Sequence, residues 1–236
     1  MARAKAAVKK AAKKPASKTK AEEGLPEVVS VVVTRPNMVT TRFKIVGTSP
    51  YMHARLSAKT RDELLKKFTH DEQRSASKKA RKARNLKADY EGAIHRSKEG
   101  WPGIPASAFR TGMISACRLV GFKMTFAKLS VFVPAQGFDK EDGLPLIRIH
   151  GAHESNIMAV RNTTGVIDLR VRPLWEPGWW AELDVRFDAD QFKEEDVFNL
   201  LLRVGEQVGI GEGRADSRNS AGIGFGSFTV EAIGRP

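Results

Sequence analysis

Cysteine is almost absent from this 236-residue sequence, which contains only Cys117. A lone cysteine excludes an internal disulfide and fits a reducing, intracellular compartment. The sequence also has no apolar run near the roughly eighteen residues that a membrane-spanning helix needs, and its first residues lack the apolar segment of a signal peptide. We therefore expect a soluble, cytoplasmic protein with no membrane partner.

Acidic residues are few relative to basic ones. The 27 Asp and Glu residues oppose 40 Lys and Arg residues, which gives a formal charge of +13 and a pI near 10.0. A surplus of this size indicates a polyanionic partner, nucleic acid first and an acidic membrane surface second. With only four Trp and two Tyr to stack on bases, phosphate contacts should supply most of the affinity.

Residues 1–25 form a low-complexity basic tail rich in Lys, Ala and Pro. Because this segment has almost nothing to bury, we expect it to be disordered in the free protein. Such a tail raises the affinity and association rate for nucleic acid through counterion release, and a solubilising or targeting role is the alternative. The folded domain is predicted to occupy residues 26–236.

A basic helical insertion is predicted at about residues 54–98. Between Arg74 and Lys87 the sequence has seven basic residues and no acidic one. Because like charges this close repel one another, an anionic partner is favoured over a merely solvated helix. The predicted nucleic-acid-binding residues of the insertion are Arg74, Lys78, Lys79, Arg81, Lys82 and Arg84.

Hydrophobic periodicity predicts the remaining elements. Strands are expected at residues 28–33, 39–45, 122–133, 146–150 and 225–230. One helix is expected to begin near Ala106, and a second helix is expected to end at Val208. Residues 165–172 and 179–187 read as a hairpin, in which Arg170 and Arg172 either pair with Glu182 and Asp184 or contact phosphate. This order predicts an α+β fold of the ferredoxin-like or RNA-recognition type, an antiparallel sheet with helices on one face.

The segment 205–231 contains two glycine clusters, at residues 209–213 and 222–226, between a helix and a strand. Such glycine density requires positive φ angles or close backbone approach, either to a packed core or to a ligand. Arg214 and Arg218 lie between the clusters and carry guanidinium groups suited to phosphate. The segment is not a P-loop, because no Gly-Lys-Ser/Thr follows the glycines. Phosphate-backbone recognition and a tightly packed turn both remain open.

The closing segment GIGEGRADSRNSAGIGFGSFTVE resembles the glycine-rich loop of the RAMP superfamily, the RNA-binding proteins of CRISPR effector complexes. The run Gly103-Ile104-Pro105-Ala106-Ser107 is similar to the turn that opens a central helix in their backbone subunits. The resemblance implies a modified RNA-recognition fold that polymerises along a single strand. The basic tail and insertion depart from an effector backbone subunit and favour a stand-alone phage or bacterial relative. The strand-contacting residues that the resemblance implies are Ser107, Arg110, Gly211, Gly213, Arg214, Gly222 and Gly224.

Evidence for catalysis in the sequence is weak. Some RAMP relatives cleave RNA with a histidine, and His53, in the loop beside Tyr51, is the best-placed candidate here. Tyr51 itself is a candidate for base stacking. No His/Cys cluster has metal-ligand spacing, so we expect no metal and no cofactor.

The leading hypothesis is a non-catalytic protein that binds single-stranded RNA or DNA and assembles as a homo-oligomeric filament along it. One alternative is a histidine-dependent endoribonuclease of the same fold. Another is a structural protein that imitates a CRISPR effector backbone subunit or docks on the effector.

Overall fold

A computed structural model describes residues 33–53, 55, 61, 65, 85–161, 165, 167–217 and 222–234. Contacts between Cα atoms divide the chain into two units, residues 1–35 and residues 36–236. The predicted boundary after residue 25 and the predicted strand at residues 28–33, apart from exposed Val33, lie outside the described residues. No helix among the described residues combines the length and the apolar character that crossing a membrane requires.

The second unit is an α+β structure with antiparallel sheets, as predicted. The helices with defined bounds among the described residues are α1 (Leu86–Gly92), α2 (Ala106–Ala116), α3 (Met124–Ser130) and α4 (Glu194–Arg203). A 3₁₀ turn, Cys117–Val120, follows α2, and α4 continues into a π-helical turn, Val204–Val208. Its strands are β1 (Met38–Gly47), β2 (Tyr51–Met52), β3 (Gly103–Pro105), β4 (Val131–Phe132), β5 (Gly137–Phe138), β6 (Pro145–Arg148), β7 (His153–Arg161), β8 (Ile167–Trp175), β9 (Trp180–Asp188) and β10 (Phe228–Gly234).

The largest sheet has four strands in the order β10-β1-β9-β4, and every neighbouring pair is antiparallel. Two three-stranded sheets, β2-β8-β7 and β3-β6-β5, accompany it. The β7–β8 pair is held by nine aligned residue pairs, from His153 opposite Trp175 to Arg161 opposite Ile167. We refer to this pair of strands as the arm.

One face of the four-stranded sheet forms the core because its strands alternate in polarity. Phe43 and Ile45 of β1 are fully buried, whereas Arg42 and Lys44 between them are partly exposed. The buried face packs against α2 and α4, with Phe43 contacting Phe198 and Phe109 contacting Phe228. Cys117, at the end of α2, is buried in the same core. The apolar residues at every second position of the strands and the apolar faces of the helices therefore pack together in one core.

Two sequence predictions of secondary structure are wrong. Residues 124–130 form α3 rather than a strand, because their apolar positions also suit a short helix that buries Ala127 and Ser130. Strands β8 and β9 do not form a hairpin with each other: β8 pairs with β7, and β9 pairs with β1. The turn at residues 176–178 instead carries the chain between two sheets, with Trp175 and Trp179 buried on either side.

Replacement of Gly205 by alanine should destabilise the protein strongly. A Cβ at Gly205 would overlap the carbonyl oxygen of Phe228 in β10, and backbone cannot rotate away as a side chain can. We expect a loss of about 2 kcal/mol or more in the free energy of unfolding, measured by urea denaturation. Gly92→Ala is the matched control, since a Cβ there meets no atom within 4 Å and improves the helix propensity. Equal stability of the two variants would contradict this packing.

Candidate nucleic-acid interface

A cleft of about 310 Å³ lies where the start of α2 meets the first glycine cluster. Ser107, Thr111 and Ser115 line it from α2, and Gly211 and Arg214 line it from the glycine-rich segment. The fold therefore brings five predicted site residues to this cleft: Tyr51, His53, Ser107, Gly211 and Arg214. The four-residue spacing of Ser107, Thr111 and Ser115 is the signal by which the polar face of α2 could have been found in the sequence.

The N-terminus of α2 opens on this cleft without a cap. Pro105 precedes the helix and supplies no side-chain hydrogen bond, and the first turn has no acidic residue. The first amides of the helix therefore lack intrahelical partners and carry the positive end of its dipole. This end of the helix favours an anion at the mouth of the cleft.

The glycine cluster at residues 209–213 is held against β2 by backbone hydrogen bonds. The Glu212 amide donates to the carbonyl of Met52 at 3.0 Å. Gly211 has a φ of 78°, and a Cβ there would collide with the Met52 carbonyl and the Tyr51 ring. Only glycine permits this approach.

Several backbone amides of this cluster are available to donate hydrogen bonds to a ligand. The amides of Gly211, Gly213 and Arg214 donate to no other residue among those described, while the Arg214 guanidinium donates to the Gly211 carbonyl at 3.2 Å. Backbone amides beside a guanidinium form a concave anion-binding surface. The glycine-rich segment therefore presents donors to the cleft in addition to its packing role.

The second glycine cluster, residues 222–226, is joined to the first by backbone hydrogen bonds. The amides of Ile223 and Phe225 both donate to the carbonyl of Gly213, at 2.9 and 3.2 Å. Gly222 has a φ of 68°, and a Cβ there would overlap the Arg214 carbonyl, whereas Gly224 faces open space. Of these two predicted contact residues, Gly222 has a packing reason for being glycine and Gly224 is exposed.

Tyr51 does not offer its ring for base stacking. Its exposed fraction is 1%, and its ring lies 5.3 Å from Trp179 and 5.6 Å from Trp175, centroid to centroid. Burial also raises the pKa of its hydroxyl. Because β2 pairs with β8 and turns Tyr51 into the core, the ring has no exposed face on which a base could stack.

His53, the predicted catalytic candidate, is also inaccessible. Its side chain is fully buried between Tyr51, Trp175 and His95, and neither ring nitrogen has a hydrogen-bond partner among the described residues. Burial lowers the pKa of His53, and the nearby His95 and His153 lower it further. The ring is therefore neutral at pH 7, and it borders the cleft without exposing any surface to it.

Arg110 has a structural role. Its Nε donates to the Val131 carbonyl at 2.9 Å, its Nη2 donates to the Lys128 carbonyl at 2.5 Å, and the guanidinium lies over the Phe132 ring. These contacts join α2 to the end of α3 and the start of β4. Arg110 does not line the cleft, and its Nε and Nη2 donors already bind the protein, so the prediction that it contacts the strand is not supported.

Asp139 is the centre of a buried ionic network next to the cleft. It accepts hydrogen bonds from His95 Nδ1 at 3.1 Å and from Arg55 Nη2 at 3.2 Å. Burial raises the pKa of Asp139, but the Glu141 amide, His95 and Arg55 together lower it below its usual value. His95, Asp139 and Asp142 are close enough to surround a cation, yet Arg55 already supplies the positive charge there.

The ion pairs of Arg170 and Arg172 differ from the prediction. Both arginines bind Glu212, between Gly211 and Gly213, at 2.9 and 2.7 Å. Asp184 instead pairs with Arg42. The pairing predicted across a β8–β9 hairpin is wrong because those strands lie in different sheets.

Seven predicted basic residues cannot be placed relative to the cleft. They lie outside the described residues: Arg74, Lys78, Lys79, Arg81, Lys82, Arg84 and Arg218. Comparison of the chain with protein-family models and with curated proteins gives no match.

The stability of the protein should fall as the pH is lowered below about 6.5. Burial lowers the pKa values of His53, His95 and His153 in the folded state, so the unfolded chain binds more protons in this range. The stability that these neutral histidines allow is fully present above their pKa in the unfolded chain. It is lost progressively as the pH falls towards their lower pKa values in the folded protein. We expect a loss of about 1 kcal/mol or more between pH 7 and 5, measured by urea denaturation.

His53→Phe should weaken this pH dependence, because a buried ring without hydrogen bonds is replaced by an apolar ring. His150→Gln is the comparison, since His150 stacks on Trp180 outside the buried cluster; burial lowers its pKa too, but less of the ring is buried, so its loss should flatten the profile less than His53→Phe does. A pH profile of His53→Phe as steep as that of the wild type would contradict the assignment.

Proposed function

We propose that the protein binds single-stranded nucleic acid, RNA or DNA, with its phosphate backbone in the cleft between α2 and the first glycine cluster. The observation that carries this proposal is the convergence of three kinds of donor there. They are the uncapped amides at the start of α2, the amides of Gly211, Gly213 and Arg214, and the Arg214 guanidinium. All three bind phosphate oxygens without reading a base.

The size of the cleft favours a single strand. A volume of about 310 Å³ accommodates a phosphate with its sugar or base, but not the width of a duplex. Its exposed polar side chains, Ser107 and Thr111, add hydroxyl groups that bind phosphate or sugar.

The net charge lies almost wholly in two segments of the sequence, residues 1–35 and residues 54–98. Residues 1–35 contain nine basic and three acidic residues, and residues 54–98 contain fourteen and six. The remaining residues contain 17 basic and 18 acidic residues, close to neutrality. We therefore assign generic, salt-sensitive attraction to the tail and the insertion, and site-defined contacts to the cleft.

The strand order supports the finer assignment of the fold. Elements β1, α2, β4, β9, α4 and β10 follow the βαββαβ order, and their strands take the spatial order fourth, first, third, second. We propose that this is a ferredoxin-like fold of the RNA-recognition type. The glycine-rich segment between α4 and β10 is consistent with the RAMP resemblance.

Two separate apolar patches support assembly along the strand. The arm exposes Ile157, Ile167 and Leu169, and the surface around α3 exposes Leu119, Phe126 and Leu129. Two different patches on one chain allow a head-to-tail contact between copies, which extends into a filament when it does not close. A strand threading successive clefts would hold the copies in line.

The proposed activity is binding without cleavage. Binding without cleavage is supported by the burial of His53, the catalytic candidate of the endoribonuclease alternative, which has no exposed surface. Docking on a CRISPR-type effector is the remaining alternative, and it requires binding to that complex in the absence of any strand.

The central test is binding of purified protein to labelled single-stranded RNA, single-stranded DNA and duplex DNA across a salt series. Single strands should bind more tightly than the duplex. Arg214→Gln should weaken single-strand binding about fivefold or more, because it removes a charge-assisted contact. Arg203→Gln, at the end of α4, removes the same charge away from the cleft and should change binding less than twofold. Equal, weak binding of single strands and duplex would contradict the proposal.

Assembly is tested separately by light scattering in the presence of strands of increasing length. Leu169→Glu and Leu129→Glu should each reduce scattering on long strands while binding of a short strand persists, because each places a charge in an apolar contact. Ile233→Glu is the control, since Ile233 is similarly exposed on β10 outside both patches. Undiminished scattering by both patch variants would exclude these surfaces as the contact.

A further inference from the structure

Arg170 and Arg172 form an anion site beside the proposed cleft. They lie two residues apart on β8, so both side chains project from the same face of the arm. Arg170 Nη1 donates to Glu212 Oε1 at 2.9 Å, and Arg172 Nε donates to Glu212 Oε2 at 2.7 Å. Two guanidinium groups thus share the two oxygens of one carboxylate.

The geometry of this site also suits a phosphodiester. A phosphodiester carries one negative charge and two unbridged oxygens on one atom, as a carboxylate does, and arginine pairs bind both groups. Glu212 supplies a single negative charge against two positive ones. Another singly charged anion could therefore replace it without leaving the arginines unpaired.

We propose that Arg170 and Arg172 are a phosphodiester-binding pair that Glu212 fills in the free protein and that a bound strand takes over. This inference rests on the proposed function and deepens it, because it extends the path of the strand from the cleft onto the arm. It adds two contacts that read neither base nor sugar, so it applies equally to RNA and DNA.

The position of Glu212 connects the two sites. Its neighbour Gly211 lines the cleft, and its own amide is fixed to the Met52 carbonyl. The backbone of residue 212 can therefore stay in place while the side chain rotates away. A strand leaving the cleft past Gly211 meets the arginine pair next.

The surroundings of the pair favour exchange. The side chains of Arg170, Arg172 and Glu212 are 36%, 20% and 19% exposed, so the ion pairs are partly accessible to solvent and to a ligand. Across the arm, Met158 lies opposite Arg170 and Asn156 lies opposite Arg172, and neither is charged. Binding of phosphate in place of Glu212 would in addition release counterions from the strand.

Glu212→Gln tests the proposal because it frees the arginine pair while keeping the shape of the side chain. Labelled oligouridine and oligodeoxythymidine are the probes. The variant should bind both about three- to tenfold more tightly than wild type at low salt, with a steeper dependence of log K on log salt. Glu206→Gln is the matched control, since Glu206 is exposed on the π-helical turn and its replacement changes the net charge equally.

A double-variant cycle separates competition from a general charge effect. In an Arg170→Gln/Arg172→Gln background, Glu212→Gln should give no gain, because the pair it releases is missing. The arginine double variant alone should weaken binding and reduce the salt slope by about 0.7 for each lost phosphate contact. If Glu212→Gln lowers the thermal stability, the arginine double variant still tests whether the pair binds phosphate, because it leaves Glu212 unchanged.

The outcomes distinguish the two proposals. A Glu212→Gln variant that binds no more tightly than Glu206→Gln, or an arginine double variant that binds like wild type, overturns the phosphodiester pair and leaves the cleft intact. A wild-type protein that shows no preference for single strands overturns the proposed function itself. A gain with RNA but not with DNA also overturns the phosphodiester pair, since phosphates are common to both.

Discussion

The hydrogen bonds between the glycine-rich segment and residues 50–52 position the residues of that segment that lie in or beside the cleft. The Gly226 amide donates to the Pro50 carbonyl, and the Glu212 amide donates to the Met52 carbonyl. These two bonds place both glycine clusters against β2, and Gly213 then joins the clusters to each other. A side chain at Gly211 would collide with the Met52 carbonyl, and one at Gly226 would collide with the backbone of Ile210. The cleft, Arg214 and Glu212 all take their places from this packing.

Charge is used differently in different parts of the chain. Within the described residues, most arginines near the core are already engaged: Arg42 with Asp184, Arg55 with Asp139, Arg118 with Asp216, and Arg110 with backbone carbonyls. Such pairs fix the geometry of neighbouring elements but attract a distant polyanion only weakly. In the proposed function, the unbalanced charge of the tail and the insertion supplies the longer-range attraction, and the cleft supplies the site-defined contacts.

Sequence patterns located the elements that depend on local periodicity. Helix α2 begins at Ala106 as predicted, the helix ending at Val208 is present with a π-helical end, and the alternation of β1 matches its burial. The pattern failed where partners are distant in sequence. Nothing local to β8 indicates that it pairs with β7, and nothing local to Tyr51 or His53 indicates that Trp175 and Trp179 cover them. Likewise, Arg172 and Glu212 are forty residues apart, so only the fold brings them together.

The buried thiol of Cys117 makes the opening of α2 observable. It is the only cysteine in the sequence, it is inaccessible in the folded chain, and burial raises its pKa. A thiol reagent can therefore modify the native protein only when the end of α2 opens. Because Ser115, two residues earlier, lines the cleft and bonds to Asp216, the rate of this modification reports how often that wall of the cleft separates from the glycine-rich segment. A ligand that holds α2 against the segment would slow the reaction without touching the sulfur.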